Sequence, residues 1–363
     1  MMEGKTMSII NVAILGQGRS GRDIHGANLA LLPDLYRIVA VVDPLDDRRT
    51  RAAGEYACET WTSYTELFGH RGIDLVVNAT PSYLHVPITL DLLAHGFNVL
   101  VEKPMARRVS EVDAMVTAAR DNGKLLAIFQ QSRFAPYFRQ VRQVIDSGVL
   151  GRIVQISIAF NGYARRWDWQ CIQDYNGGSL LNTGPHPLDQ ALQLFGNGAE
   201  PQVTCFMDRV NTFGDAEDYV KLLLKAPGHP VVDLEISSCC AYPVPTYQVQ
   251  GTRGGLKGTT EHLDWRYFKA DEAPEQHLIR TPLMNDDGTP KYCGESLVWH
   301  EDSWDLPAEE KDLFQVMTTA FYRCLHASIT EGAPLEVTPG QVRRQIVVIE
   351  ESHRQNPLSK LAR

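Results

Sequence analysis

Positive charge is in short supply in this chain: 35 Lys and Arg stand against 44 Asp and Glu, a net charge of −9 over 363 residues. That balance argues against a nucleic acid or an anionic membrane surface as partner. Long apolar runs are missing as well. No stretch approaches the roughly 20 residues that span a bilayer, and Met1 to Ser8 lacks the apolar segment of a secretory signal. Cysteine is sparse and unpatterned. Cys58, Cys171, Cys205, Cys239, Cys240, Cys293 and Cys324 form no CxxC pair and no zinc spacing, and their number is odd. Reduced, mostly buried thiols in a cytoplasmic protein are expected, with no metal site. Internal repeats and low-complexity tracts are also absent.

What is present is an ordinary globular composition, 44% hydrophobic and 22% charged, in a chain longer than one hydrophobic core usually supports. Up to about residue 130 short apolar strands alternate with helices. Strands are expected at 9–15, 38–42, 73–79, 99–101 and 125–129, and helices at 46–56, 86–95 and from Ser110-Glu111-Val112-Asp113, which resembles a capping box, to about Asn122-Gly123. This is the grammar of a doubly wound parallel sheet covered on both faces. After residue 150 the pattern becomes alternating strands (153–160, 202–209, 219–224, 231–237), interrupted by a helix at about 179–195 and closed by helices at about 313–331 and 339–354. The expected organisation is therefore α/β: a Rossmann domain over 1–130, then an α+β domain with a large, mainly antiparallel open sheet over 131–363. The last helix, about 340–355, is free to pack back on the first domain. Residues 251–307 read as a long polar loop whose Trp265, Tyr267, Trp299 and Trp304 either fill core or wall a substrate or a neighbouring subunit.

The first strand runs directly into Gly16-Gln17-Gly18-Arg19-Ser20-Gly21, and the second ends at Asp43. In a βαβ unit the first glycine permits the turn, the second lets the backbone approach a diphosphate, and the third lets helix and strand pack. A diphosphate then sits on the free N–H groups at the helix start, and Asp43 is placed to accept from the adenosine ribose. A dinucleotide is the expected ligand. Asp43 favours NAD, since its carboxylate repels a 2′-phosphate, although Arg48 and Arg49 follow closely.

Ligands of open α/β sheets bind beyond the carboxyl ends of the strands. Thr80-Pro81 with His85, and Glu102-Lys103-Pro104, occupy such ends and are expected to face the same crevice as the glycines. Lys103 there can stabilise an alkoxide or pass on a proton, or it can simply pair with Glu102. Asn182, His186 and Asp189 recur at i, i+4 and i+7, behind Gly177-Gly178 and around Gly184-Pro185 and Pro187. The prolines are expected to break or restart the helix. That would place His186 near a helix N-terminus, where a neutral imidazole is favoured. Tyr163, Arg166, Trp167 and Trp169, with Arg165, suit the gripping of a polyol ring, or are solvated loop residues.

Gly16 to Gly21, Ala79-Thr80-Pro81 with His85, Glu102-Lys103-Pro104, and Gly177-Gly178 leading to Gly184-Pro185-His186 and Asp189 together resemble the Gfo/Idh/MocA oxidoreductases. The resemblance covers about residues 9–196 well and the rest in general plan. It implies a Rossmann domain followed by an open α/β domain whose sheet often mediates homo-oligomers, dimers or tetramers. It also implies that Lys103 and His186 act on a sugar or cyclitol hydroxyl. A third group, usually aspartate, is matched here by Asn182, which can orient substrate or hold Lys103 but cannot accept a proton. Asp189 either fixes the tautomer of His186 or caps the helix.

The resulting expectation is an NAD-dependent dehydrogenase of a secondary hydroxyl on a sugar, cyclitol or glycoside. Family relatives that oxidise the C3 hydroxyl of glycosides fall within the resemblance. Its rivals are a glycosidase-like lyase using bound NAD for transient oxidation, and a non-catalytic sugar or dinucleotide sensor.

Overall fold

A computed structural model describes residues 8–360. Ile10–Leu15 (β1), Tyr36–Val42 (β2), Glu59–Trp61 (β3), Leu75–Asn78 (β4), Asn98–Val101 (β5) and Leu126–Ile128 (β6) form a parallel sheet of order β3-β2-β1-β4-β5-β6. Apart from the edge strand β3, these short apolar runs are largely buried on both sides, so they need helices on both faces. Ala13 and Leu15 pack toward the helices His85–Ala94 and Val109–Asp121. Val12 and Ile14 pack toward Leu29, Ala52 and, from the helix Leu313–Glu331, Phe321, Tyr322 and Leu325. Each such Val or Leu contributes about 1.5–3 kcal/mol by leaving water. The order of strands reverses between β1 and β4, and this is where a doubly wound sheet opens its ligand crevice.

The second sheet is mostly antiparallel. Ile153–Asn161 (β7), Gln202–Asp208 (β8), Tyr219–Lys225 (β9), Val231–Ser237 (β10), Tyr247–Gly251 (β11), Gly254–Gly258 (β12), His262–Tyr267 (β13) and His300–Asp305 (β14) follow the order β14-β13-β12-β11-β7-β10-β9-β8. β7 and β10 pair in parallel. One face is apolar: Val220, Leu222 and Leu224 of β9, with Val232, Leu234 and Ile236 of β10, are buried beneath Leu188, Ala191, Leu192 and Phe195. The opposite face carries Lys221 between Asp233 and Glu235. The helix Pro339–Gln355 reaches from the helix Val109–Asp121 to β8: Arg343 pairs with Asp113, and Gln355 holds the Val203 carbonyl and the Cys205 N–H.

Three expectations are corrected. Residues 251–307 are not one loop, because β12, β13 and β14 lie within them. Trp265, Tyr267 and Trp304 pack against the core, whereas Trp299 is 42% exposed and stacks on Arg266. The helix beginning near residue 110 is opened from Arg107 and Arg108, whose N–H groups donate to the Glu111 carboxylate, rather than by Ser110. All seven cysteines are free, but only Cys171 and Cys205 are buried. Strand β3 carries no strong signal in the sequence and was missed; the helix Pro136–Asp146 was also missed, although Pro136 at its start and Tyr137, Phe138, Val141 and Val144 at helical spacing mark it. Among the described residues no helix is long and apolar enough to cross a membrane.

Candidate active site

At the β1 end Gly16 adopts φ +86°, and a Cβ there would stand 2.7 Å from the Ala79 carbonyl oxygen. At Gly21 a Cβ would fall 1.7 Å from the Gly16 carbonyl oxygen, so helix and strand meet only through glycine. Gly18 is different. Its Cβ would meet nothing nearer than Arg48 Nη1 at 3.9 Å, leaving the backbone open on the side where a diphosphate approaches. The following helix, Arg19–Gly26, is wound wide as a π-helix before passing into Ala27–Ala30. Its first-turn N–H groups, on Arg19, Ser20 and Gly21, are those a helix start leaves for an anion. Gln17 Oε1 is buried without a hydrogen-bond partner, an acceptor that a cofactor hydroxyl can satisfy. These features fit a dinucleotide.

Asp43 is buried and already occupied. Its carboxylate accepts from the N–H of Gln17 at 2.7 Å and of Leu45 at 2.9 Å, with Arg48 Nη1 at 3.3 Å. It therefore shapes the glycine loop as well as the ribose side of the crevice. Beyond β4, Thr80 Oγ1 donates to Asn78 Oδ1 at 2.6 Å, which fixes the turn into Pro81. His85 does not present a free nitrogen to the crevice as expected. It is buried between two strand-end loops, with Nδ1 2.7 Å from the Pro104 carbonyl oxygen and Nε2 2.9 Å from that of Thr80, and the neutral ring that burial favours donates to one of the two.

Glu102 is buried at the end of β5, and its Oε2 accepts from the N–H of Lys103 at 2.9 Å. Burial alone would raise its pKa, but the hydrogen bond from His25 and the nearby cations outweigh burial and hold it at about 2. Lys103 reaches across to the helix Ser179–Asn182, where its Nζ donates to the Asn182 carbonyl oxygen at 2.9 Å and stands 3.5 Å from Asn182 Oδ1. Burial, joined by the charges of Arg19 and Arg166, lowers its pKa, while Glu102 opposes the shift. Asn182 Nδ2 donates to Gln170 Oε1 at 3.3 Å.

His186 lies one turn beyond Asn182. Its Nδ1 is 3.1 Å from Ser132 Oγ, and burial together with the Lys103 charge pushes its pKa down to about 3. The neutral imidazole expected from the sequence thus arises chiefly from desolvation. The glycines and prolines around it have a structural reason. Glu217 accepts from the N–H of Leu180 at 3.0 Å and caps the helix Ser179–Asn182. A Cβ on Gly178 (φ +112°) would strike that carboxylate at 2.4 Å, and one on Gly177 would strike the Gln170 carbonyl. The helix breaks at Thr183-Gly184 and restarts as Pro185–Phe195. Asp189 plays neither role expected of it. Arg133 grips it at 2.6 and 2.7 Å in a buried bidentate pair, whereas the His186 ring contacts Ser132.

The 163–169 segment divides. Arg166 is close enough to act on Lys103 and pairs with Asp168 at 3.5 Å, and Trp169 opens the short turn that carries Gln170 to Asn182. Trp167 is 76% exposed with its ring against Phe213, while Tyr163 bridges to Cys239 at a strand end. Sequence reasoning missed Asn78, Ser132 and Gln170. Asn78 was visible as the one amide in an apolar strand; Ser132 and Gln170 carry no motif.

Residues 10–130 match the model of the oxidoreductase family with an NAD-binding Rossmann fold, and residues 138–257 match the GFO/IDH/MocA C-terminal domain. The chain belongs to the Gfo/Idh/MocA oxidoreductase family. Among Gfo/Idh/MocA proteins it is 28% identical over 294 residues to the 2,7-anhydro-N-acetylneuraminate hydratase of Mediterraneibacter gnavus, covering 77% of each chain. It is 27% identical over 353 residues to the scyllo-inositol 2-dehydrogenase (NADP(+)) of Bacillus subtilis, covering 95% of this chain and 93% of that one. In fold it matches the WlbA dehydrogenase of Bordetella pertussis, solved with NADH and UDP-GlcNAcA, with a TM-score of 0.75 at 18% identity over 98% of this chain and 99% of that chain.

Proposed function

We propose that this Gfo/Idh/MocA oxidoreductase is an NAD-dependent dehydrogenase that oxidises a secondary hydroxyl of a sugar, cyclitol or glycoside to a ketone. The observation that carries the reading is the Lys103 to Asn182 contact, which brings the lysine of the Rossmann edge to the end of the helix Ser179–Asn182, just before the helix Pro185–Phe195 that bears His186. Bound NAD supplies a nicotinamide carbon that accepts a hydride. The chain's residues handle the proton and the oxygen. Neutral His186 can take the hydroxyl proton on Nε2 when Nδ1–H donates to Ser132, and Lys103 Nζ donates to the same oxygen as negative charge develops. Arg166, whose charge reaches Lys103, serves in this reading as a substrate contact together with Trp169, Trp167 and Tyr163, whose rings are exposed.

A second reading, transient oxidation on retained NAD with no net redox change, is favoured by the hydratase among the relatives. One experiment separates the two. Purified protein is offered inositols, free sugars, aryl glycosides and anhydro sugars with NAD, and both reduced nicotinamide and products are recorded. NADH with a ketone product supports the dehydrogenase. Product formation without NADH supports the second reading, and binding of NAD with no product overturns both.

A further inference from the structure

Behind Lys103 lies a buried row of polar groups that the proposed chemistry does not use. Tyr322 Oη, on the helix Leu313–Glu331, is 2.6 Å from His25 Nδ1, and His25 Nε2 is 3.2 Å from Glu102 Oε1. His25 closes the wide helix that follows the glycine fingerprint. A single pattern satisfies all three groups: the tyrosine O–H donates to Nδ1, and the Nε2–H donates to the carboxylate. The row is held at its tyrosine end and packed at its middle. Tyr36 Oη donates to the Tyr322 carbonyl oxygen at 2.7 Å, and the Phe129 ring packs edge-on at 4.5 Å from the imidazole.

A buried carboxylate is expensive, and an apolar side chain would fill the same core more favourably. What Glu102 faces explains its presence. Its Oε2 holds the N–H of Lys103, and the cations and imidazoles around it are Lys103, His25 and His85. The charged groups acting on Lys103 are Glu102, Arg19 and Arg166, while His186 feels both Lys103 and Glu102. Two of the three are cations, and the nearest side chain, Asn182, is neutral. Glu102, next in sequence and bonded to the Lys103 N–H, is the one carboxylate among them.

We propose that His25, aligned by Tyr322, is a positioning residue for Lys103, fixing Glu102 behind the lysine as its carboxylate counter-charge. This rests on the reading that Lys103 acts on the substrate oxygen. It links the helix Leu313–Glu331 to the chemistry through three side chains, Tyr322, His25 and Glu102.

The test reads Lys103 directly. The pH dependence of its acetylation by acetic anhydride, followed by peptide mass spectrometry, gives its protonation midpoint in the full-length protein. His25→Ala and Glu102→Gln are expected to lower that midpoint by about one pH unit, since the counter-charge is misplaced or lost. His25→Gln, whose Nε2 can still donate to Glu102, is expected to restore most of it. The corresponding limb of the kcat/KM profile should move with the midpoint. Unmoved midpoints in folded His25→Ala and Glu102→Gln, or a His25→Gln protein as shifted as the alanine variant, overturn the proposal. If His25→Ala does not fold, Tyr322→Phe decides: a smaller shift in the same direction supports the row, and none refutes it. Because acetylation needs no turnover, an absence of hydride transfer counts against the dehydrogenase reading alone. Turnover with an unmoved midpoint counts against the positioning role alone.

Discussion

Lys103 Nζ is held by the main-chain carbonyl of Asn182 at 2.9 Å, with the side-chain Oδ1 of the same residue more distant at 3.5 Å. The lysine is thus placed by backbone, and the amide side chain adds little to its position. Asn182→Ala is expected to lower kcat less than about tenfold, whereas Lys103→Ala, which removes the donor to the substrate oxygen, is expected to cost 10²-fold or more. Asn182→Asp tests charge rather than position. A carboxylate beside Nζ favours the ammonium, so the Lys103 limb of the kcat/KM profile should move up by about one pH unit. A downward or absent move would contradict the assignment of that limb.

Asp189 and Ser132 are expected to separate cleanly in mutagenesis. Asp189 shares a fully buried bidentate pair with Arg133, so Asp189→Ala leaves an uncompensated guanidinium in the core and should cost about 3–5 kcal/mol in denaturant unfolding. Ser132→Ala should change stability far less, about 1 kcal/mol, yet lower kcat because the His186 tautomer is no longer fixed. Comparable stability losses in both variants would show that Ser132 serves the core.

The cofactor side offers a ratio test. Arg48 Nη1 lies 3.3 Å from Asp43 and beside the open face of Gly18, where a 2′-phosphate would meet it. Arg48→Ala is expected to raise the KM for NADP at least tenfold while changing that for NAD less than threefold. Asp43→Ala should weaken both, because it frees the N–H groups of Gln17 and Leu45 that shape the loop. Equal effects of Arg48→Ala on the two cofactors would remove it from the ribose site.

The sequence made the parallel sheet and the glycine turn legible because both depend on local rules: β-branched runs buried on two faces, and backbone positions such as Gly16 and Gly21 where a Cβ has no room. The partners of the site residues were not legible. Asp189 stands three residues from His186, the spacing of a shared helix face, yet it turns to Arg133, more than fifty residues earlier in the chain. His85 likewise follows Thr80-Pro81 but closes on the Pro104 carbonyl. Such choices are made by tertiary packing and leave no period in the sequence. Gly177-Gly178 stood out in the sequence, but only the fold reveals what crowds them, the Gln170 carbonyl and the Glu217 carboxylate.

His186 gives the last prediction its sign. Burial first, and the Lys103 charge second, lower its pKa from the ordinary 6.5 to about 3 in the folded protein. Above pH 6.5 the histidine is neutral in both folded and unfolded chains, and stability does not depend on it. As pH falls from 6.5 toward 3 the unfolded chain binds a proton that the folded chain refuses, so stability is lost across that window. His186→Asn, which can still contact Ser132 but does not titrate there, should lose less in Tm between pH 7 and pH 4.5 than the wild-type protein. The same depression means that kcat/KM should show no acid limb centred near 6.5. Parallel Tm curves for the two proteins, with a wild-type acid limb at 6.5, would show that His186 is solvated and free to protonate.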